Sequence, residues 1–317
     1  MRLFKKTVAW VIVLFILAGL SYFFEDKIQQ KEAADAESRR LLKLELFEIE
    51  SIELKKSDSL LAVKKSKEGW FIDKPFIASA DQKAVTDMLE HTLRANMNGI
   101  LFEEAPEEKL KEMGLSPPYL TVSLKTISGK TVTMHMGDRG PTQNITFLKF
   151  EGEKRVLRVH ADVRSELDRS VYDLRDKTVI AIDPQTLRTV EMKWREGETI
   201  TVFQSQQNAW NTEGLFTGKT DLTKLLATLY GMRDAEAKAF IDENPGDLKP
   251  FGLHAPRLTL TFIDNKNLQQ ILYVGGKDKK LRGYYAKRRG DLNVFLLEED
   301  FLDNIPDSAK DLEVKVE

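Results

Sequence analysis

The hydrophobic pattern of this chain changes character three times. From Thr7 to Phe24 there is no charged residue, and the core of the run, VAWVIVLFILAGLSYFF, is apolar on every helical face. Eighteen residues at the α-helical rise reach about 27 Å, close to the apolar thickness of a bilayer. Glu25 and Asp26 close the run, and Trp10 and Tyr22 lie where the two interfaces would fall. The pattern predicts an uncleaved membrane anchor over residues 1–24, the chain's one apolar run of this length. Gly19 and Ser21 could precede a signal-peptide cut, but Tyr22-Phe23-Phe24 is a poor mature start. Leu20 stands where a lipidated cysteine would be needed. Arg2, Lys5 and Lys6 crowd the first six positions, whereas Lys27, Lys31 and Arg39 are spread out. That density favours an inside N-terminus with the bulk of the chain outside. Residues 25–47 hold no Gly or Pro and are rich in helix formers, which predicts a solvated helical stalk.

Beyond the stalk the period shortens to two. SIELKKSDSLLAVKKSKEGWFI and, later, TVEMKWREGETITVFQSQQNAWNT read as antiparallel strands, with Gly197 at a hairpin turn. Helical periodicity follows. Ser79 and Gln82 form a capping-box pattern ahead of an apolar stripe at Val85, Met88, Leu89 and Leu93. Leu222, Leu225, Leu226 and Leu229 predict the matching helix further on. A short helix starts near Pro106 or Pro245 and stops at Gly114 or Gly252. Four strands come next: YLTVSLKTI and KTVTMHM about Ser128-Gly129, then TFLKF and RVLRV about Gly152. RLTLTFI, QQILYV, GYYAK and NVFLL repeat them. A last short helix begins near Asp162 or Asp300.

This is a duplication. Residues 114–170 align without a gap on 252–308, matching Gly114 with Gly252, Leu115 with Leu253, Pro118 with Pro256, Gly137 with Gly275 and Ser170 with Ser308. Trp70 and Trp210, Asp81 and Asp221, and Ala95 and Ala235 pair at an offset two residues longer. The predicted organisation is an anchor (1–24), a stalk (25–47), repeat unit 1 (48–172), a linker (173–185), repeat unit 2 (186–308) and a tail (309–317). The strand-rich order with intervening helices predicts α+β units built on antiparallel sheets.

Composition narrows the chemistry. Lys plus Arg is 48 and Asp plus Glu is 50, giving a net charge of −2, which argues against a nucleic-acid binder relying on basic excess. The chain has no cysteine, so disulfides, thiol nucleophiles and Cys-ligated metals are excluded. The four histidines, His91, His135, His160 and His254, form no metalloprotease pattern. There is no G-x-S-x-G elbow, S-x-x-K, Walker loop or G-x-G-x-x-G. Val274-Gly275-Gly276-Lys277 leaves one strand for another and reads as a hairpin turn rather than a phosphate cradle. Asp242-Glu243-Asn244-Pro245-Gly246-Asp247 reads as a helix cap, since it lacks calcium-loop spacing. No catalytic, cofactor or metal residue is assigned, and no cofactor is expected.

Three features remain. Trp70 and Trp210 are a binding platform or, since both units repeat them, core packing. The loops GDRGPT (137–142) and GGKDKKLRG (275–283) carry Arg139, Lys277, Lys279, Lys280 and Arg282, which are candidate partner contacts or simply solvated cations. Arg175 and Asp176, in DLRDK between the units, suggest an inter-repeat latch. Asn144-Ile145-Thr146 fits a glycosylation acceptor in a glycosylating secretory route.

The order of Trp-ended hairpin, helix, Gly-Leu-x-x-Pro step, Gly-containing hairpins and Leu174-Arg175-Asp176-Lys177 resembles the family catalogued as domain of unknown function 4340, over residues 48–308. The resemblance implies an N-terminal span and an accessory role beside ABC-type permeases and gliding-motility-type auxiliary subunits. The preferred reading is a non-enzymatic, membrane-anchored binding or assembly module on the extracytoplasmic face of the inner membrane. The alternative is an envelope hydrolase with a site between the repeats, drawing on His135, His160, Glu166, Asp138 and Arg139.

Overall fold

The computed structural model describes residues 39–207, 209–213 and 219–314. The expected anchor and the first part of the expected stalk lie outside them. Among the described residues no helix is long and apolar enough to cross a membrane. The contacts divide the chain after Asp176 into two units.

Unit 1 is a nine-stranded antiparallel sheet carrying helices. Its strands are β1 (Ile49–Lys55), β2 (Leu60–Ser66), β3 (Gly69–Lys74), β4 (Ala78–Ser79), β5 (Met97–Phe102), β6 (Leu120–Thr126), β7 (Thr131–Arg139), β8 (Ile145–Phe150) and β9 (Val156–His160). Their spatial order is β4-β3-β2-β1-β6-β7-β8-β9-β5. Helix α1 (Gln82–Leu93) buries Val85, Met88, Leu89 and Leu93, the stripe that its sequence predicts. These join Ile52 and Leu54 of β1, Leu120, Val122 and Leu124 of β6, and Met134 and Met136 of β7 in one core. The shorter helices are α2 (Glu107–Glu112), α3 (Ala161–Leu167) and α4 (Val171–Leu174). The turns at Gly129 and Gly152 stand where expected, with φ +84° and +79°.

The N-cap of α1 differs from expectation. Asp81 caps the helix by accepting the Ala84 N–H at 2.9 Å. Ser79 lies in β4, and the Gln82 side chain instead accepts from Trp70 N–H (2.7 Å) and donates to the Trp70 and Ala80 carbonyls (2.8 and 2.9 Å). Tertiary pairing with the β3 backbone takes the amide that a local capping box would use.

Unit 2 repeats the design on an eight-stranded sheet. Its strands are β10 (Leu187–Trp194), β11 (Thr199–Gln204), β12 (Trp210–Thr212), β13 (Ala239–Asp242), β14 (Leu258–Asp264), β15 (Gln269–Asp278), β16 (Gly283–Arg288) and β17 (Val294–Glu298), and its helix is α5 (Leu222–Asp234). The order is β12-β11-β10-β14-β15-β16-β17-β13. Asp221 caps α5 as Asp81 caps α1, accepting from Thr223 and Lys224 N–H. The buried stripe is Leu225, Thr228, Leu229 and Met232; Leu222 is exposed, contrary to expectation. The phase is inherited from α1, where the register places Val85, Met88, Leu89 and Thr92. The short helix before Gly252 shrinks to a 3-10 turn at Lys249–Phe251.

The repeat extends further than its identities suggested. Leu41, Leu42 and Leu44 are buried in unit 1, and Val179, Ile180 and Ile182 are buried in unit 2. Leu41 N–H donates to Ala95 C=O (2.8 Å), and Val179 N–H donates to Ala235 C=O (3.3 Å). Residues 40–45 are therefore the non-helical entry segment of unit 1 and not a helical stalk, with Leu41, Leu42 and Leu44 in its core and a 3-10 turn at Leu46–Glu48 leading into β1. Each unit closes alike. Asp81 N–H donates to Leu174 C=O (2.9 Å), and Asp221 N–H donates to Leu312 C=O (2.7 Å). Ser170 with Asp173 and Ser308 with Asp311 make matching capping boxes. The stretch expected as a linker (173–185) is thus the end of unit 1 and the start of unit 2. Of the expected tail, residues 309–312 form a 3-10 helix with Leu312 fully buried.

Candidate functional site

The Gly-Leu-x-x-Pro step is an architectural lock. Gly114 and Gly252 hold φ of +64° and +66°, a region L side chains rarely adopt. The chain then passes hard against a bulge in the neighbouring strand. A Cβ on Gly137 would stand 2.1 Å from Met113 O, and one on Gly275 would stand 2.3 Å from Phe251 O. In unit 1 the contact is completed by Asp138 N–H donating to Met113 O at 2.8 Å. Val274-Gly275-Gly276-Lys277 is accordingly a bulge inside β15 and not the hairpin turn expected of it. The turn falls at residues 279–282.

That bulge aims the candidate basic residues. Lys277 is paired with Glu299 (2.5 Å), and Arg282 Nε reaches the same carboxylate at 3.1 Å. The Lys277 hydrogen bond, then that of Arg282, holds the Glu299 carboxyl below its ordinary range. Lys277 also lies 5.6 Å from the Tyr284 ring centre. Asp278 caps the turn by accepting the N–H groups of Lys280 and Leu281, each at 2.8 Å. Its hydrogen bond with the Tyr285 hydroxyl pushes that phenol up to about 12. Lys279 and Lys280 are exposed at the tip. In unit 1 Arg139 is the last residue of β7 and donates to Ser165 Oγ at 2.8 Å. The structure thus brings Lys277 and Arg282 together around Glu299, leaves Lys279 and Lys280 outward, and places Arg139 in the other unit.

Arg175 and Asp176 are engaged within unit 1. Arg175 is buried, forms a β-bridge with Ala80 and lies 5.2 Å from the Phe76 ring centre. Asp176 N–H donates to Ser79 C=O at 3.0 Å. Glu313 and Val314 make the equivalent contacts to Thr220 and Lys219 in unit 2. These described contacts form a clasp on each unit's own helix start. Trp70 is buried, while Trp210 is half-buried and packs on the unit 2 core.

The five residues of the hydrolase alternative each have a separate neighbour. His135 lies 3.3 Å from Thr121 Oγ1, and burial lowers its pKa. His160 caps α3 and lies 3.0 Å from Asp162. Glu166 pairs with Arg169 (2.5 Å), Asp138 lies 3.9 Å from Arg164, and Arg139 bonds Ser165. None of these contacts joins two of the five. Among the described residues no group of three or more His, Asp or Glu could hold a metal ion. The Asp242–Asp247 stretch caps its own turns and not the helix expected of it: Asp242 accepts Asn244 N–H and Asp247 accepts Lys249 N–H, while Leu248 stands at the N-cap of the 3-10 turn without a side-chain cap.

Sequence reasoning missed a trough along α5. Cavities of about 230 and 690 Å³ share Thr228, Gly231, Asn304 and Ile305. A third of about 470 Å³ continues past Glu298, Asp300 and Asp303 to Lys238 and Arg282. In unit 1 the seven-residue helix α3 packs against α1, burying Val163 and Leu167. In unit 2 a four-residue 3-10 turn, Phe301–Asn304, stands at that position. The rim is acidic, with Asp234, Glu236, Glu298, Asp300, Asp303, Asp307 and Asp311. The hydrogen bond that the Asp307 carboxyl donates to Asp311 raises the Asp307 pKa above its ordinary range. The polar lining of these cavities is dominated by carboxylates, with Thr228, Asn304, Lys224, Lys238 and Arg282 beside them. The available signal was Gly231 inside a helical pattern, a costly residue where a Cβ would meet nothing within 4 Å.

The family model for Domain of unknown function (DUF4340) matches residues 70–226 and again 210–316. The chain belongs to this family. Both matches begin on equivalent residues, Trp70 and Trp210; the first runs from unit 1 into unit 2 and the second lies within unit 2. No curated protein and no solved structure matches the chain. The two units share the lock, the helix cap and the closing clasp, while the trough and the Glu299 cluster belong to unit 2.

Proposed function

We propose that this family member is a membrane-tethered, non-enzymatic binding and assembly module on the extracytoplasmic face of the inner membrane. It serves as an accessory to an ABC-type export or envelope system. The observation that carries the reading is the uncharged run Thr7–Phe24 behind Arg2, Lys5 and Lys6, joined to two well-packed sheet units. The chemistry supports binding: the candidate acids and bases are spent on structural ion pairs and caps, while unit 2 offers an acid-rimmed trough. The partners are permease or auxiliary subunits of the transporter, met at the membrane.

The test is cross-linking of the full-length chain in native membranes, followed by purification in mild detergent. Permease subunits should be recovered with the full chain and lost when residues 1–24 are removed. Recovery of abundant bystanders alone would overturn the assembly role. Protease added to the outer face should degrade residues 39–314; protection from outside and attack from inside would overturn the orientation.

A further inference from the structure

The two units have one backbone design but different surfaces at one corner. In unit 1, Ile127 N–H donates to Glu48 C=O at 2.8 Å, which sets the β6–β7 turn beside the entry segment. Phe47 is 72% exposed there and Ile127 is 69% exposed. In unit 2 the same bond runs from Asn265 N–H to Thr186 C=O at 2.8 Å, and the residues at those two places are Gln185 and Asn265. Unit 2 keeps one exposed apolar side chain at this turn, Leu268, at the position of Lys130 in unit 1. The apolar pair therefore occurs only in the unit that follows the N-terminal apolar run.

Chain length lets that corner reach the bilayer. Phe24 ends the run, and Arg39 is the first described residue of the entry segment, fifteen positions on. The intervening chain reaches about 23 Å if helical and about 50 Å if extended. Phe47 and Ile127 have no packing role that accounts for their exposure, and two adjoining exposed apolar side chains are what an interfacial contact buries.

We infer that Phe47 and Ile127 dock the entry corner of unit 1 into the bilayer interface beside the anchor. This rests on the tethered reading above. At this corner Lys125 pairs with Glu50 and Arg40 with Glu45, each at 3.1 Å, so the contact rests on apolar burial rather than on a basic patch. Two side chains alone bind a bilayer too weakly to recruit a protein. The tether supplies the effective concentration that makes them sufficient. Docking fixes the orientation of unit 1 relative to the membrane plane.

The absence of native cysteine makes the test clean. The full-length chain is reconstituted into phosphatidylcholine vesicles with one fluorophore-labelled cysteine at a time. The sites are Ile16→Cys in the apolar run, Ser128→Cys beside Ile127, and Ile77→Cys, whose native side chain is 80% exposed. Iodide should quench the labels at 16 and 128 at least about fivefold less than the label at 77. Adding Phe47→Ser and Ile127→Ser to the Ser128→Cys chain should raise quenching at 128 to the level at 77. If the label at 16 is shielded and the label at 128 is not, the docking is overturned and the anchor stands. If the label at 16 is open to iodide, the anchor and the docking both fall.

Discussion

The strand crossing at Gly137 gives the sharpest energetic test of the lock. Gly137→Ala would put a Cβ 2.1 Å from Met113 O, a backbone atom that cannot swing aside. Relief requires a main-chain shift of about 1 Å, and overpacking of this kind costs about 1–3 kcal/mol. The shift also strains the Asp138 N–H bond to the same oxygen, adding about 1 kcal/mol. Alanine stiffens the unfolded chain and returns about 0.4–1 kcal/mol. The net expectation is a loss of about 2 kcal/mol. Two further glycines calibrate this. Gly152 has φ +79° and a methyl added there would meet nothing within 4 Å, so Gly152→Ala should cost only about 1 kcal/mol, from left-handed strain. Gly231 is helical and open, so Gly231→Ala should stabilise unit 2 by about 0.5–1 kcal/mol. Urea unfolding followed by far-ultraviolet circular dichroism reads all three. The reasoning fails if Gly137→Ala is no more destabilising than Gly152→Ala.

Other consequences follow from named contacts. Gln82→Ala removes three hydrogen bonds from the Trp70 and Ala80 backbone and should cost about 2–3 kcal/mol, with a changed Trp70 emission in the folded state. Asp81→Ala and Asp221→Ala each remove a cap and should each cost about 1 kcal/mol, one per unit; markedly unequal losses in urea midpoints would show that the caps are not equivalent. Burial pushes the Asp168 carboxyl up, but hydrogen bonds from Lys56 and the Tyr119 hydroxyl outweigh it and hold the pKa below normal. A depressed native pKa contributes stability above the unfolded value of about 3.9, lost as pH falls from about 4 through the native value. Asp168→Asn should therefore flatten the acid limb of the unit 1 stability profile below about pH 4. An unchanged slope in urea titrations across that range would refute the pairing.

The glycine turns were legible because they are local. A positive-φ turn needs glycine whatever surrounds it, so Gly114, Gly129 and Gly152 announced their turns. The α1 stripe was legible because a helix with one buried face must repeat its apolar residues every three to four positions. Leu222 misled because periodicity alone admits more than one phase, and only packing on the sheet chooses Leu225, Leu229 and Met232. Gln82 misled because its amide had a better partner on β3 than its own helix end.

Sequence alone determined the membrane-length run, the duplication, the antiparallel pattern of most strands and the family, because these depend on periodicity and on residues with special backbone freedom. Tertiary structure decided where each unit begins and ends. Leu41 and Val179, like Leu174 and Leu312, reveal their place only when the start and end of a unit meet at the two ends of the same helix. It also decided that the candidate cations Lys277 and Arg282 are tied to Glu299, and that a shortened helix leaves unit 2 a trough. Charge partners and cavities arise between residues far apart in the chain, and no local pattern encodes that proximity.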